Sequence, residues 1–254
     1  MTDSDFWSAR VRRHGHTGWA DPVTYQFDQR LRLRTVGDTI LGLGLPAAAR
    51  CLDFGCGVGD FSAMLANAGH KVWAYDISEP VLRRAAALNP SPRITYTGDL
   101  AATMANPLDL ILSVTVLQHV IDDDELQRLL STFRNALATN GRLVVLETFA
   151  TEDRIDEYQH RRTIASFLKA ASSAAFFLES DRPFYHPTER STASFRAYRR
   201  NPVVRLLSRA GRLPGVARIL GYVAGRYVGV TEDSPVTGSP THLMVFGAGE
   251  SSNG

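Results

Sequence analysis

The stretch Cys51-Leu52-Asp53-Phe54-Gly55-Cys56-Gly57-Val58-Gly59-Asp60 joins an apolar run that ends in an acid to glycines at every second position. Glycines so placed let the chain turn tightly and let a ligand approach main-chain atoms that a Cβ would block. A dinucleotide loop of the GxGxxG form starting at Gly55 needs glycine at position 60, where Asp60 stands. A carboxylate there would face a pyrophosphate at a helix N-terminus, and like charges repel. A phosphate-cradling P-loop fails as well, for want of Gly-Lys-Ser/Thr. The pattern suits an uncharged or cationic adenosine derivative. Asp76, closing the run Val72-Trp73-Ala74-Tyr75, lies 21 residues after Gly55, near the separation expected for strand, loop, helix and next strand. Cys51 and Cys56 read as small core residues in a reducing compartment, not as a disulfide framework.

These residues need elements to carry them. Asp21-Pro22 is a helix start, and Val23, Phe27, Leu31, Val36 and Ile40 follow near helical spacing until Gly42-Leu43-Gly44. Beyond it, strand and helix signals alternate: strand 50–55, helix 60–68, strand 71–75, helix 79–88, strand 93–97, strand 109–114, helix 122–138 and strand 142–149. That alternation predicts an α/β fold, a doubly wound Rossmann-like sheet of seven strands with helices on both faces. Acids at 122–125 suit the start of the 122–138 helix, Leu126, Leu129, Leu130, Phe133 and Leu137 give it one apolar face, and Asn140-Gly141 supplies its stop. Residues 153–178 read as one further helix and 182–187 as irregular. Short helices are expected from Asn201-Pro202 to Gly211 and from Pro214 through Tyr222, and two final strands near 226–231 and 242–248. The expected division is an N-terminal helical lid over 1–45, a core over 46–175, an arginine-rich helical insertion over 176–225, the last core strands over 226–249 and a tail over 250–254.

The ordered set of motifs resembles the class I S-adenosylmethionine-dependent methyltransferases, whose first motif is an apolar strand ending in acid-x-Gly-x-Gly-x-Gly. The similarity covers about residues 45–150. It implies that S-adenosylmethionine is the cofactor and that Asp53, Gly55, Cys56, Gly57 and Gly59 form its loop. It further implies that Asp76, followed by Ile77, holds the ribose diol through two charge-assisted hydrogen bonds. Thr97-Gly98-Asp99-Leu100 resembles the adenine-contacting loop, with Asp99 accepting from the exocyclic amine. Ser113, Val114 and Gln118 belong to the cofactor-flanking fourth strand and its loop, and Asn140 to Glu147 to the fifth strand. His119 stands where the fold opens toward substrate, and is a candidate general base or a loop-orienting residue. Glu147 is expected to bind a substrate hydroxyl or amine, or to cap a loop. Trp7, Trp19, Tyr25 and Phe27 are lid or core aromatics, Tyr25 being a candidate substrate contact.

With 254 residues, 44% of them apolar and 21% charged, the chain reads as globular and not as disordered or fibrous. No apolar run suits a membrane span, and the acidic start lacks a secretory pattern, so the expected compartment is the cytoplasm. Net charge is +2, yet residues 182–230 hold ten arginines against the single acid Glu189. That excess makes Arg196 and Arg199 candidate contacts to an anionic acceptor. Ser113-Val114-Thr115-Val116 lacks the Asn/Asp-Pro-Pro-Tyr/Phe element of base-amino DNA methyltransferases, and neither cysteine follows a proline as in cytosine-C5 enzymes, so nucleic acid is not an expected partner. The function implied is methylation of oxygen or nitrogen on a small bacterial natural-product or sugar intermediate, with no metal and with a homodimer as one possible assembly. The competing readings are a non-catalytic S-adenosylmethionine binder, a membrane-surface protein using Arg205, Arg209 and Arg212, and an NAD-dependent oxidoreductase, which Asp60 disfavours.

Overall fold

The computed structural model describes residues 3–19, 22–156, 158–184, 216, 219–220 and 239–248. Two helices, α1 (Asp3–His14) and α2 (Pro22–Gly42), precede an alternating run. That run comprises β1 (Arg50–Phe54), α3 (Asp60–Asn67), β2 (Lys71–Tyr75), α4 (Glu79–Leu88), β3 (Ile94–Thr97), α5 (Leu100–Thr103), β4 (Leu108–Val114), α6 (Asp123–Ala136) and β5 (Leu137–Thr148). A hairpin, β6 (Arg154–Asp156) and β7 (Gln159–Arg161), leads to α7 (Ile164–Ser173), β8 (Phe176–Phe184) and β9 (Thr241–Ala248). The main sheet has seven strands in the order β3-β2-β1-β4-β5-β9-β8. Strands β1 to β5 are parallel, and β9 runs antiparallel to both its neighbours. The expected α/β doubly wound sheet is what the chain forms.

The central strands β1 and β4 are covered on both faces, which is why they are largely apolar rather than alternating, whereas the edge strand β8 is exposed over most of its length. In β4, Leu110 and Leu112 pack with Val36, Phe61 and Leu65 on the α2–α3 side, while Ile111 packs with Leu126, Leu130 and Phe133 of α6 on the other. Leu130 and Phe133 are fully buried; each such side chain contributes about 1.5–3 kcal/mol. Asp122 caps α6 by accepting from Glu125 N at 2.7 Å, and Asp123, Asp124 and Glu125 load its first turn. The strand order reverses between β1 and β4, so the crevice beyond their carboxyl ends is where a ligand fits this fold.

Three local expectations give way. Residues 153–178 are not one helix: Asp153 accepts from Thr163 N and Ser166 Oγ, and Thr163 accepts from Ser166 N, so α7 is capped at Thr163 and the chain before it forms the hairpin. Helix α6 stops at Ala136 and passes directly into β5, leaving Asn140-Gly141 inside the strand. A Cβ on Gly141 would lie 2.7 Å from the Leu108 carbonyl, where the β4–β5 register shifts. Residues 176–184, expected to end a helix, open the insertion and turn irregular, instead form β8 against β9. The strand expected at 226–231 and the helix expected from 201 to 211 lie outside the described residues, and of the helix expected from 214 to 222 only Val216, Ile219 and Leu220 are described, as helical.

Candidate functional site

The cavity at the carboxyl ends of β1, β2 and β4 is built first from the glycine loop. Gly55 (φ 73°) and Gly57 (φ 54°) adopt left-handed backbone, and Gly55 N and Cys56 N both donate to Tyr75 O at 2.8 Å. A Cβ on Gly55 would lie 2.4 Å from Val116 Cγ2, and one on Gly57 2.6 Å from Thr17 Oγ1. The loop is thus pressed between the segment after β4 and the chain that follows α1, an approach only glycine permits. Asp53, 2% exposed, accepts from Ser62 Oγ, and burial pushes its carboxyl up to about 7. Asp76 accepts from Gly57 N at 3.1 Å and Ser78 N at 3.0 Å, and burial pushes it up to about 6. Asp60 begins α3 and accepts from Tyr25 Oη and Gln29 Nε2, both at 3.0 Å.

Of the expected cofactor residues, Asp53, Gly55, Cys56, Gly57, Asp76 and Ile77 line this cavity, as do Leu100, Val114 and Gln118. Three others do not. Gly59 (φ 84°) is the N-cap of α3. Asp99 is exposed and caps α5, accepting from Ala102 N at 3.1 Å. Ser113 is fully buried in β4, one position before Val114, so strand alternation turns it to the α6 side.

The other half of the cavity is assembled from distant segments. After β4, Thr115 takes positive φ (55°) and its N–H donates to Leu146 O at 2.7 Å. Val116 N and Leu117 N both donate to Glu147 Oε1 at 2.7 Å. Glu147 is 2% exposed and does not line the cavity, so the expected substrate contact is instead a carboxylate beneath the loop, and burial pushes it up to about 7. The short turn Leu117–His119 then presents Gln118 and His119 to the cavity. His119 Nδ1 lies 2.8 Å from the Tyr158 carbonyl, which can only accept, so Nδ1 carries the proton and Nε2 is the acceptor in the neutral ring. The Trp7 ring meets His119 edge-on at 4.9 Å, and Phe6 stacks on Tyr158 at 5.2 Å.

Helix α2 adds a pair that the sequence reading did not single out. Asp28, 3% exposed, accepts from Trp19 Nε1 at 2.8 Å and pairs with Arg32 at 2.7 Å, while Arg32 reaches Thr115 Oγ1 at 3.4 Å. Burial outweighs Arg32 and raises the Asp28 carboxyl. The i,i+4 spacing of acid and base was legible, but such spacing more often marks an exposed helix face. Tyr25 lines the cavity with its hydroxyl committed to Asp60, and Phe27 lies in the core. The hairpin was also missed: His160 Nδ1 lies 2.9 Å from Ile121 O, and Arg162 donates to Val120 O at 2.9 Å. Arg196 and Arg199 lie outside the described residues.

Comparison with known proteins agrees with this geometry. Residues 25–184 match a family described as a methyltransferase domain. A ubiquinone biosynthesis O-methyltransferase of Caulobacter sp. (strain K31) is 35% identical over 102 residues, 38% of this chain and 39% of that protein. A trans-aconitate 2-methyltransferase of Variovorax paradoxus (strain S110) is 33% identical over 146 residues, 56% of this chain and 53% of that protein. The chain thus spans only about two-fifths to half the length of these relatives. The magnesium protoporphyrin IX methyltransferase of Synechocystis PCC 6803, crystallised with bound SAH, shares the fold with a TM-score of 0.58 at 19% identity. That match covers 72% of this chain and 92% of the other. A glycine loop and acid in the expected places, on the expected sheet, with a family match over well over half the sequence, make this chain a member of the class I S-adenosylmethionine-dependent methyltransferases.

Proposed function

We propose that the protein transfers a methyl group from S-adenosylmethionine to an oxygen or nitrogen of a small acceptor, oxygen being favoured. The observation that carries this reading is one continuous cavity of about 1160 Å³ that joins the glycine loop and Asp76 to His119. Ligand sites commonly span about 300–1,000 Å³, so both reactants fit together. Buried acceptor atoms without partners among the described residues, Asp28 Oδ1 and Gln118 Oε1, lie on residues that line it. Such atoms call for donors, and the cofactor offers an ammonium and ribose hydroxyls.

When bound, the cofactor supplies a methyl already activated on a sulfonium. The chain's own task is then orientation and exclusion of water. In this reading Asp76 accepts from the ribose hydroxyls, and Arg32 and Asp28 complement the carboxylate and ammonium of the methionine end. Phe6 and Trp7 of α1 cover the acceptor. His119 Nε2 removes the proton of a hydroxyl nucleophile while Tyr158 O holds Nδ1–H. The names of the relatives, an O-methyltransferase and a trans-aconitate methyltransferase, support an oxygen acceptor. The arginine excess of residues 182–230 supports an anionic one, and we place it among natural-product or sugar intermediates. Cys51 and Cys56, both buried free thiols, suit a reducing compartment such as the cytoplasm.

The test is transfer of labelled methyl to a panel of phenols, sugars and polycarboxylates, with calorimetry for S-adenosylmethionine and NAD alongside. Cofactor binding without transfer to any acceptor would favour the non-catalytic reading. Binding of NAD alone would refute both.

A further inference from the structure

The segment 115–121 joins the two halves of the cavity, and its main-chain groups are held from two directions. Thr115 N is held by β5 through Leu146 O, and Val116 N and Leu117 N by Glu147 Oε1. The Val120 and Ile121 carbonyls are held from outside by Arg162 and His160. Val116 is also the residue on which Gly55 closes, since no Cβ fits between them. One buried carboxylate therefore sets the place of the residue that abuts the glycine loop and of the turn that carries His119.

We propose that Glu147 is the positioning residue of the methyl-transfer site: by gripping the Val116 and Leu117 amides from beneath, it fixes the separation between the glycine loop and His119. The inference rests on the methyl-transfer reading above, but its central readout does not. Glu147 does not line the cavity. What it needs is reach, an acceptor oxygen at the end of a two-methylene side chain, and both amides use the same oxygen. Glutamine offers that oxygen at the same reach without the charge, whereas aspartate keeps the charge and falls one methylene short.

The experiment compares Glu147→Gln with Glu147→Asp in the full chain. Hydrogen exchange of the 115–121 amides and the 15N shifts of the His119 ring are read with S-adenosylhomocysteine present, and labelled-methyl transfer is read with the best acceptor found for wild type. Positioning predicts wild-type-like exchange and tautomer for Gln. For Asp it predicts faster exchange at Val116 and Leu117, a mixed His119 tautomer and a kcat lower by about 10- to 100-fold, as displacement of about 1 Å produces. Cofactor KM should stay within about threefold, because the lost interaction orients the acceptor side. The reverse order, Asp intact and Gln impaired, would mean that the charge itself acts, and would overturn the proposal. Unchanged exchange in both variants would overturn it equally. If wild type methylates nothing in the panel, the methyl-transfer reading fails, while exchange and the histidine shifts still decide the role of Glu147.

Discussion

The two halves of the cavity are built by opposite means. The half proposed to seat the cofactor, the cofactor half, comes mostly from one short stretch, Asp53 to Asp60, plus Asp76 at the next strand end, with Asp28 and Arg32 of α2 added, and its key groups are main-chain atoms and carboxylates. The proposed acceptor half draws on α1, the segment after β4 and the β6–β7 hairpin, held by hydrogen bonds such as Val116 N to Glu147, across 31 residues, and Arg162 to Val120 O, across 42. Local construction makes a half whose backbone shape is set by its own residues, while Val116 and Thr17 close against it. Construction by long-range contacts makes one that can vary in shape while the cofactor seat stays fixed, which is how one fold serves many acceptors.

The comparison breaks most sharply at His119. His119→Ala should lower kcat for a hydroxyl acceptor by about 10²–10⁴-fold, the usual contribution of a positioned base, and leave S-adenosylhomocysteine affinity unchanged by calorimetry. A loss of cofactor affinity as large as the loss in rate would mean that the two halves are not separate. Gly55→Val is the converse. The new Cβ would fall 2.4 Å from Val116 Cγ2 at a φ of 73°, where strain alone costs about 1–3 kcal/mol. Cofactor affinity should drop by about 10-fold or more, and the acceptor half should be disturbed through Val116, visible as faster amide exchange at 115–117.

How much of this was legible follows the same division. The glycine loop could be read because its function is local: residue type and backbone conformation are set by the same positions. Strands β1 and β4 were legible for a related reason, since burial on both faces demands apolar runs of limited length, and β2 and β3 were legible from short β-branched and aromatic runs between turn residues. The hairpin was not, because two strands of three residues carry no periodicity and their role lies in reaching Ile121 and Val120 across the fold. Glu147 was found, yet its side chain goes beneath the loop and not into the cavity. A glutamate at a strand end looks the same in sequence whichever it does.

Asp76 sharpens the cofactor half. Asp76→Ala should lose about 1.5–3 kcal/mol of affinity per charge-assisted hydrogen bond removed, with the fold retained. Its pH dependence has a definite sign. Burial raises Asp76 to about 6, and in the proposed reading the ribose hydroxyls need the ionised acceptor, so affinity should be near full from about pH 7 upward, decline through pH 6 and fall by up to about tenfold per unit below it. Stability without cofactor should run the other way. Asp53 and Glu147 at about 7 hold protons more tightly folded than unfolded, so their contribution is full below about pH 4 and is lost as pH rises through 7. Calorimetric affinity and thermal melts from pH 5 to 8 would show the two opposed trends, and parallel trends would remove these carboxylates from the account.

The smallest effect separates covering the acceptor from merely completing the core. Phe6 of α1 stacks on Tyr158 of the hairpin at 5.2 Å, with 17° between the ring planes, and Tyr158 also supplies the carbonyl that orients His119. An aromatic pair of this kind is worth about 0.5–1.5 kcal/mol beyond its buried area. In a double-mutant cycle of Phe6→Leu and Tyr158→Leu, that coupling should appear in acceptor KM as about a two- to tenfold effect. The Tyr158 main-chain carbonyl survives both substitutions, so kcat at saturation should hold. Coupling found only in thermal stability, with none in KM, would mean that α1 is fixed in place as part of the fold and that water exclusion over the acceptor must come from elsewhere.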